Sequence, residues 1–294
     1  MEMAKEIYFI ADAHLGSRGV ADNRGQELRL VHFLDSIKER ASAVYMLGDM
    51  FDFWYEYRMV VPRGFTRFLG KVSELTDSGV EVHFFTGNHD IWCGDYLQTE
   101  CGVILHREPL RTEILGHQFY LAHGDGLGDP GLGFRLLRGI FHSRLCQRLF
   151  SCIHPRWGVD FGLAWAKHSR LKHEAEGGEP PYMGEDREHL VLYAKDYLRR
   201  HPEVEYLLFG HRHIELDLML SHTSRMLAAP SRASQIACVS TSASLCPSSP
   251  IVCSRRMPPN HSSRPSTSRW TSYPIPTLNV AISLDFISDI ILFS

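Results

Sequence analysis

Histidine, aspartate and asparagine side chains follow five apolar runs of the chain, each at the point where a buried strand would end. These residues are Asp12, His14, Asp49, Asn88, His123, His211 and His213. Because the carboxyl ends of strands in an α/β sheet meet at one edge, we expect the seven side chains to converge there. Imidazole and carboxylate groups together suit divalent Mn, Fe, Zn or Co. The pattern therefore predicts a site for two adjacent divalent metal ions.

The spacing of these residues suggests how they divide between the two ions. Asp12 and His14 alternate at a strand end, so both side chains point the same way and one ion can bind both. Asp49 follows a glycine, and its carboxylate is suited to bridging two cations. The predicted ligands of the first ion are Asp12, His14, Asp49 and His213, and those of the second are Asp49, Asn88, His123 and His211. Each short motif alone is more often a turn or a helix cap, so it is their combination in this order that indicates the site.

Four further polar residues lie close in sequence to the predicted ligands. We expect His89 to donate a proton or a hydrogen bond to a phosphoryl oxygen, with Asp90 fixing its tautomer. Asp52 and Asp125 each follow a predicted ligand by two or three residues, which suits carboxylates that bond to imidazole N–H groups. Two cations would lower the pKa of a water between them, and that water would attack phosphorus in line.

The elements that carry these residues alternate between strand and helix. The apolar runs before the ligands predict strands in repeated βαβ units. Four segments have the apolar spacing of amphipathic helices: residues 27–40, 65–76, 134–149 and 185–200. The strand signal disappears between residues 131 and 200. The sequence therefore predicts an α/β domain over residues 5–227, with a helical insertion at about 131–200.

Composition and charge limit the class of protein. The 294 residues, 44% of them hydrophobic, can fill one large α/β domain or two small ones. The net charge of −3 provides no overall basic field, so nucleic acid is not an expected partner. The seven cysteines form no C-x-x-C pair and the first residues lack an apolar signal-peptide core, which favours a reduced, cytoplasmic setting. No stretch reaches the roughly 18 apolar residues that span a bilayer, so membrane contact is expected to be peripheral.

The segment 228–294 differs from the rest of the chain. Serine, proline and arginine dominate it, and no acidic residue occurs between Asp217 and Asp285. Such a composition cannot bury enough apolar surface to order itself. Two interpretations stay open, a natural disordered extension and a frameshifted reading frame. The apolar end, residues 278–293, is compatible with a late strand, an interfacial segment or neither.

The ordered motifs Asp-x-His, Gly-Asp-x-x-Asp, Gly-Asn-His-Asp, His-Gly-Asp and Gly-His-x-His resemble those of the calcineurin-like metallophosphoesterase superfamily. The resemblance spans about residues 7–220. Within it, Leu47–Glu56, Gly87–Trp92, His123–Gly128 and the insertion are similar to the UDP-2,3-diacylglucosamine hydrolase family of lipid A biosynthesis. The branch with histidine at the position of His89 is the most similar. The resemblance implies a metallo-dependent phosphatase sandwich of two mixed β-sheets flanked by helices, with the helical insertion as a lid.

The family also implies an activity and a set of substrate contacts. The expected reaction is hydrolysis of the pyrophosphate of UDP-2,3-diacylglucosamine to UMP and 2,3-diacylglucosamine 1-phosphate. Two divalent ions, Mn²⁺ by preference, are the expected cofactors, and the inner-membrane surface is the expected peripheral partner. The resemblance places substrate contacts at Lys167, Ser169 and Arg170, and at Asp129.

The insertion has a composition that fits an acylated substrate. Its arginines, among them Arg135, alternate with aliphatic and aromatic residues, and no acid occurs between Asp129 and Asp160. Such a helix could place apolar groups on acyl chains while guanidinium groups contact phosphate or anionic headgroups. The alternative is a solvated basic face on a packed helix.

Two other functions stay open. A metallophosphoesterase acting on nucleotides, phosphoproteins or nucleic acid would share the metal site, with an open polar groove in place of a hydrophobic cleft. A non-catalytic scaffold on the same fold would have no need for all seven ligands.

This chain also departs from the family after Leu227, where a Gly-Asp-Trp-like element is absent, so edge strands near the fifth motif are expected to be missing.

Overall fold

Two mixed β-sheets packed face to face form the framework of the protein. The computed structural model describes residues 6–128, 131–175, 182–214, 216–221, 223–228, 235–240 and 279–283. The strands within these ranges are β1 (Glu6–Ala11), β2 (Ala41–Met46), β3 (Glu81–Phe85), β4 (Ile104–His106), β5 (Leu110–Ile114), β6 (His117–Ala122), β7 (Tyr206–Phe209), β8 (Leu216–Met219), β9 (Arg225–Ala228), β10 (Gln235–Ser240) and β11 (Asn279–Ser283). The helices are α1 (Asn23–Ile37), α2 (Thr66–Asp77), α3 (Tyr96–Cys101), α4 (Leu132–His142), α5 (Arg144–Ser151), α6 (Pro155–Ala175) and α7 (His189–Arg200). The predicted α/β sandwich is confirmed.

The strand orders explain why the five predicted strand ends meet. The first sheet has the order β11-β10-β1-β2-β3-β4, and β1 to β4 run parallel. The second sheet has the order β5-β6-β7-β9-β8, and β6, β7 and β9 run parallel. The carboxyl ends of β1, β2, β3, β6 and β7 precede the five motifs. Parallel pairing therefore brings three motifs to the edge of one sheet and two to the edge of the other.

The apolar strands are buried on both faces, which is why they read as continuous hydrophobic runs. All six residues of β1 are buried. Tyr8 and Ile10 pack under α1 and α2, whereas Phe9 packs between the sheets against Phe119 of β6. A third cluster joins the outer face of the second sheet to α7. The sandwich thus has helix, sheet, sheet and helix layers.

The first sheet extends past residue 228. Strand β10 pairs antiparallel with β1, and β11 pairs antiparallel with β10. Both strands lie in the range for which a disordered or frameshifted tail was expected, and the other residues after 228 lie outside the described part of the chain. The second sheet has two strands after the fifth motif, β8 and β9, which pair antiparallel.

The helices of the insertion differ from those predicted. A single helix over residues 134–149 is wrong, because Ser143 is extended (φ −68°, ψ 116°) and separates α4 from α5. The Ser143 hydroxyl accepts a hydrogen bond from the Cys146 amide and so begins α5. Helix α6 was not predicted, since its apolar residues recur at every second position from Trp157 to Trp165, which is not a helical period. Among the described residues, every helix is too short or too polar to cross a membrane.

Two histidines on the neighbouring strands β3 and β4 lie in contact. His83 Nδ1 lies 2.9 Å from His106 Nε2, and the His83 ring stacks on Tyr45. Burial, and then the charge of His83, lower the pKa of His106 to about 4. Burial also lowers the pKa of His83, although Glu81 acts in the opposite direction.

We expect the free energy of unfolding to fall as the pH falls from 6.5 toward 4, because the unfolded chain binds protons in that range that folded His106 does not. His106→Gln should weaken this dependence. Urea unfolding at about pH 7 and about pH 5 measures the effect. His32→Gln, a change at an exposed histidine of α1, is the matched control and should keep the wild-type dependence. An equal acid loss in His106→Gln and wild type would contradict the assignment.

Candidate metal centre

The backbone at the candidate site is held in a conformation that side-chain-bearing residues rarely adopt. Five of the seven predicted ligands have positive φ: Asp12 (54°), His14 (44°), Asp49 (53°), His211 (70°) and His213 (51°). Left-handed backbone is unfavourable for non-glycine residues because Cβ approaches the carbonyl oxygen. Such strain persists only where surrounding contacts impose it, and it concentrates at functional sites. The left-handed backbone therefore bends the chain after each strand and directs the predicted ligands toward one another.

One group of ligand atoms comes from the β1 end and the fifth motif. His14 Nε2 lies 3.0 Å from His213 Nε2, and His213 Nε2 lies 3.3 Å from an oxygen of Asp12. Ligand atoms of these three residues all lie within 4.8 Å of one another. Asp49 is also near, with Oδ2 3.8 Å from His14 Nε2. These are the four residues predicted for the first ion.

A second group gathers on the other side of Asp49. His123 Nε2 lies 3.4 Å from Asp49 Oδ2 and 3.2 Å from Asn88 Oδ1. Asp49, His123 and His211 form a further set of ligand atoms within 4.8 Å of one another. The structure thus brings the four residues predicted for the second ion together, with Asp49 common to both groups. A third set joins His14, Asp49 and His89, which was not predicted to be a ligand.

The donor set fits divalent cations. His123 Nδ1 donates a hydrogen bond to the Leu47 carbonyl oxygen at 2.9 Å, so in the neutral ring Nε2 carries the lone pair. That lone pair faces the oxygens of Asp49 and Asn88, and facing acceptor atoms repel one another unless a proton or a metal cation lies between them. Asp12 and Asp49 are 3% and 1% exposed, and a buried carboxylate also requires a neighbouring positive charge. These residues therefore have the chemistry of a two-ion site.

Without metal, the histidines and carboxylates perturb each other's ionisation. Burial acts to raise the pKa of Asp49, but the charges of His123, His89 and His14 outweigh it and hold the pKa well below its usual range. Burial acts to lower the pKa of His123, but Asp49 raises it well above its usual value. Burial, and then the charge of His123, lower the pKa of His211 to about 4. Opposite shifts in adjacent groups are typical of functional sites.

Asp90 has a different role from the one predicted. Its buried carboxylate accepts hydrogen bonds from the backbone amides of Gly87 (2.7 Å), Met50 (2.9 Å), Asp49 (3.3 Å) and Phe51 (3.4 Å). The Asp52 carbonyl oxygen, rather than Asp90, accepts from Nδ1 of the His89 ring at 2.8 Å. Burial and the charge of Asp49 raise the pKa of Asp90 to about 7, while its backbone hydrogen bonds act to lower it. Asp90 thus joins the loops after β2 and β3.

The two carboxylates predicted to orient imidazoles differ in their contacts. Asp52 Oδ1 lies 3.7 Å from His14 Nδ1, so it neighbours a predicted ligand at a distance longer than a hydrogen bond. Asp125 instead accepts a hydrogen bond from Arg138 of α4, at 3.0 Å. Sequence reasoning missed Arg138, because its position in an arginine-rich helix gave no sign of which arginine would reach the site.

The insertion helices contact four loops of the site. Besides Arg138, Trp92 Nε1 donates to the Phe141 carbonyl oxygen at 2.7 Å and Tyr55 donates to the Gln147 carbonyl oxygen at 2.8 Å. Arg18 and Asp160 of α6 form an ion pair at 2.5 Å. Two glycines of α6 provide close approach: a Cβ at Gly158 would overlap Tyr57, and one at Gly162 would overlap Phe53. The insertion therefore rests directly on the loops that carry the predicted ligands.

The predicted substrate-binding residues are only partly described. Lys167 is exposed on α6. The side chains of Ser169, Arg170 and Arg135, and the whole of Asp129, lie outside the described part of the structure. Their roles stay predictions.

Comparison with known proteins identifies the family. A model of the calcineurin-like phosphoesterase family matches residues 5–215. The chain belongs to this family. It is therefore a phosphoesterase of a metal-dependent kind, and the clusters of Asp and His described above are its candidate metal ligands.

Two named relatives align with much of this chain. A UDP-2,3-diacylglucosamine hydrolase of Porphyromonas gingivalis is 44% identical over 234 residues, covering 76% of this chain and 89% of that protein. A UDP-2,3-diacylglucosamine hydrolase of Neisseria meningitidis serogroup C is 31% identical over 173 residues, covering 58% and 70%. Among solved structures, a predicted phosphoesterase from Streptococcus pneumoniae superposes with a TM-score of 0.36 at 15% identity, covering 82% of this chain and 86% of that one.

The contacts of Asp90 predict a structural role that can be measured in the absence of metal. Asp90→Ala leaves buried amides of two loops without their acceptor, and each such loss is costly. We expect the free energy of unfolding to fall by at least about 2 kcal/mol, measured by urea denaturation without metal. Asp95→Ala removes an exposed carboxylate nearby and is the matched control, expected within about 0.5 kcal/mol of wild type. Equal stabilities for the two variants would show that Asp90 does not join the loops.

Proposed function

We propose that this chain hydrolyses the pyrophosphate of UDP-2,3-diacylglucosamine, giving UMP and 2,3-diacylglucosamine 1-phosphate in lipid A biosynthesis. The observation that carries the proposal is an exposed apolar surface on helices that rest on the candidate metal centre. An acylated substrate needs such a surface, whereas a nucleotide or a phosphoprotein does not. The relative from Porphyromonas gingivalis, 44% identical over 89% of its length, is named for this substrate.

The apolar surface is formed by α4, α5, α6 and the residues that join them. Its large exposed side chains are Leu136, Ile140, Leu145, Leu149, Ile153, Trp157, Phe161 and Trp165. Several of them are more than half exposed, which is unusual for leucine and tryptophan in a folded domain. Exposed basic residues lie among them, at Arg144, Arg148, Arg156 and Lys167. A surface with both properties suits acyl chains together with anionic headgroups.

The metal centre is proposed to bind two Mn²⁺ ions. Asp12, His14, Asp49 and His213 would hold the first ion, and Asp49, Asn88, His123 and His211 the second. When bound, two such cations supply Lewis-acid stabilisation of phosphoryl oxygens and a nucleophilic water at neutral pH. The protein mainly positions the reacting groups and neutralises their charge.

His89 is proposed to contact the phosphate undergoing attack. Because Nδ1 donates to the Asp52 carbonyl oxygen, Nε2 is the ring atom that faces the centre, 4.0 Å from Asp49 Oδ2. The His89 side chain is 20% exposed, more than those of the buried ligands around it, so a substrate can reach it. In the imidazolium form of His89, the proton on Nε2 would stabilise charge that develops on a phosphoryl oxygen.

The proposed activity predicts metal-dependent release of UMP. Purified protein with Mn²⁺ should release UMP from UDP-2,3-diacylglucosamine in detergent micelles, and a chelator should stop the reaction. Asp49→Ala and His123→Ala should each lower the rate more than about 100-fold, since each removes a ligand of the centre. Asp95→Ala is the control and should retain the wild-type rate. Cleavage of simple phosphodiesters without attack on the lipid would overturn the substrate assignment.

The same surface is proposed to place the enzyme peripherally on the inner membrane. Trp157→Ser should lower partitioning to vesicles of phosphatidylglycerol and phosphatidylethanolamine about 10-fold, because burial of a large apolar side chain contributes about 1.5–3 kcal/mol. Co-sedimentation measures the bound fraction. Met219→Ser, a change at an exposed apolar residue of β8, is the matched control and should bind like wild type. Equal binding of both variants would argue against contact through α4–α6.

A further inference from the structure

Two backbone hydrogen bonds hold the start of the loop that carries His211 and His213. The Gly210 amide donates to the His123 carbonyl oxygen at 2.9 Å, and the His211 amide donates to Asp12 at 3.0 Å. Both histidines have left-handed backbone, which neighbouring contacts must impose. These two bonds fix the start of the loop but lie before its second histidine.

Arg212 ties the middle of this loop to the segment that begins α7. Its guanidinium forms a bidentate ion pair with Glu188, with Nε 2.7 Å from Oε1 and Nη2 3.1 Å from Oε2. Glu188 is 0% exposed, and the side chain of Arg212 is 18% exposed. Two parallel bonds fix the orientation of the guanidinium as well as its position. Since Arg212 lies between the two histidines, this pair restrains both of them.

Glu188 lies at the start of a helix that packs on the second sheet. It immediately precedes α7, whose buried face packs on the second sheet, and its own amide donates to the Gly184 carbonyl oxygen at 3.0 Å. Its carboxylate forms no capping hydrogen bond with the first turn of α7 and is directed to Arg212 instead. The positive end of the helix dipole also favours a carboxylate at this position.

We propose that Glu188 is a positioning residue of the metal centre: through Arg212 it holds His211 and His213 in the arrangement that binds the two ions. The inference rests on the proposed function only in taking these two histidines as metal ligands. His213 belongs to the group with Asp12, and His211 to the group with His123. Loosening the loop therefore weakens binding of both ions rather than one.

The test is calorimetric titration of the full chain with Mn²⁺ alone. Glu188→Leu/Arg212→Leu replaces the ion pair by apolar side chains, a change that often preserves stability because no buried charge is left unpaired. We expect this variant to bind both Mn²⁺ ions about 10-fold more weakly or worse, the range typical of residues that orient metal ligands. Glu188→Gln keeps the side-chain shape and is the second variant if the double variant does not fold; it should weaken both ions in the same way.

Two further changes separate positioning from general stability. The single variant Arg212→Lys keeps the positive charge but loses the bidentate contact with Glu188. Its Mn²⁺ affinity should therefore lie between those of the double variant and the wild type. Glu74→Gln breaks the ion pairs of Glu74 with Lys38 and Lys71, each 2.6 Å long and remote from the loop, and should leave Mn²⁺ affinity unchanged.

The outcomes distinguish this inference from the proposed activity. Wild-type Mn²⁺ affinity in both Glu188 variants would overturn the positioning role, whatever happens to their melting temperatures. Loss of one ion with normal binding of the other would also overturn it. A wild-type chain that binds two Mn²⁺ ions but releases no UMP would contradict the proposed function and leave the role of Glu188 supported by the titrations.

Discussion

The convergence of buried acceptor atoms at one end of the sandwich is the constraint on which the structure depends. Asp12, Asp49 and the imidazoles around them are packed so closely that their lone pairs repel one another unless protons or metal cations lie between them. Five of the seven predicted ligands also have left-handed backbone, which adds strain. The surrounding fold must therefore supply enough stabilisation to keep these groups together, and metal binding recovers part of that free energy.

The fold meets this requirement by building the site at the edges of two sheets. Doubly buried strands give β1, β2 and β3 fixed positions, and β6 and β7 bring the remaining ligands from the facing sheet. Hydrogen bonds then join loop to loop: Asp90 connects the loops after β2 and β3, and Asp12 binds the backbone of the fifth motif. The insertion helices contact the same loops, so their exposed apolar surface lies next to the candidate metal centre.

Strand prediction succeeded for the five strands that precede the motifs, because burial on both faces leaves a continuous apolar run, as in β1 and β2. Helix prediction succeeded for α1 and α2, which have one buried face. In the insertion, the helix predicted over residues 185–200 is confirmed by α7, but the single helix over 134–149 is divided at Ser143 and α6 was not predicted. Trp157, Phe161 and Trp165 are each about half exposed or more, so the hydrophobic pattern there reports a surface and not a core.

The sequence by itself determined the candidate ligand set and indicated the class of reaction, because metal-binding chemistry depends on residue types and strand ends place those residues at one edge. Only the tertiary structure decided the partners that hold the ligands: Asp90 with backbone amides, Asp125 with Arg138, and Glu188 with Arg212. Hydrogen bonds and ion pairs of this kind join elements that come together only when the sheets and helices pack. No local pattern of residues specifies them, since a charged residue next to a ligand can turn toward any of several neighbours until the fold fixes one.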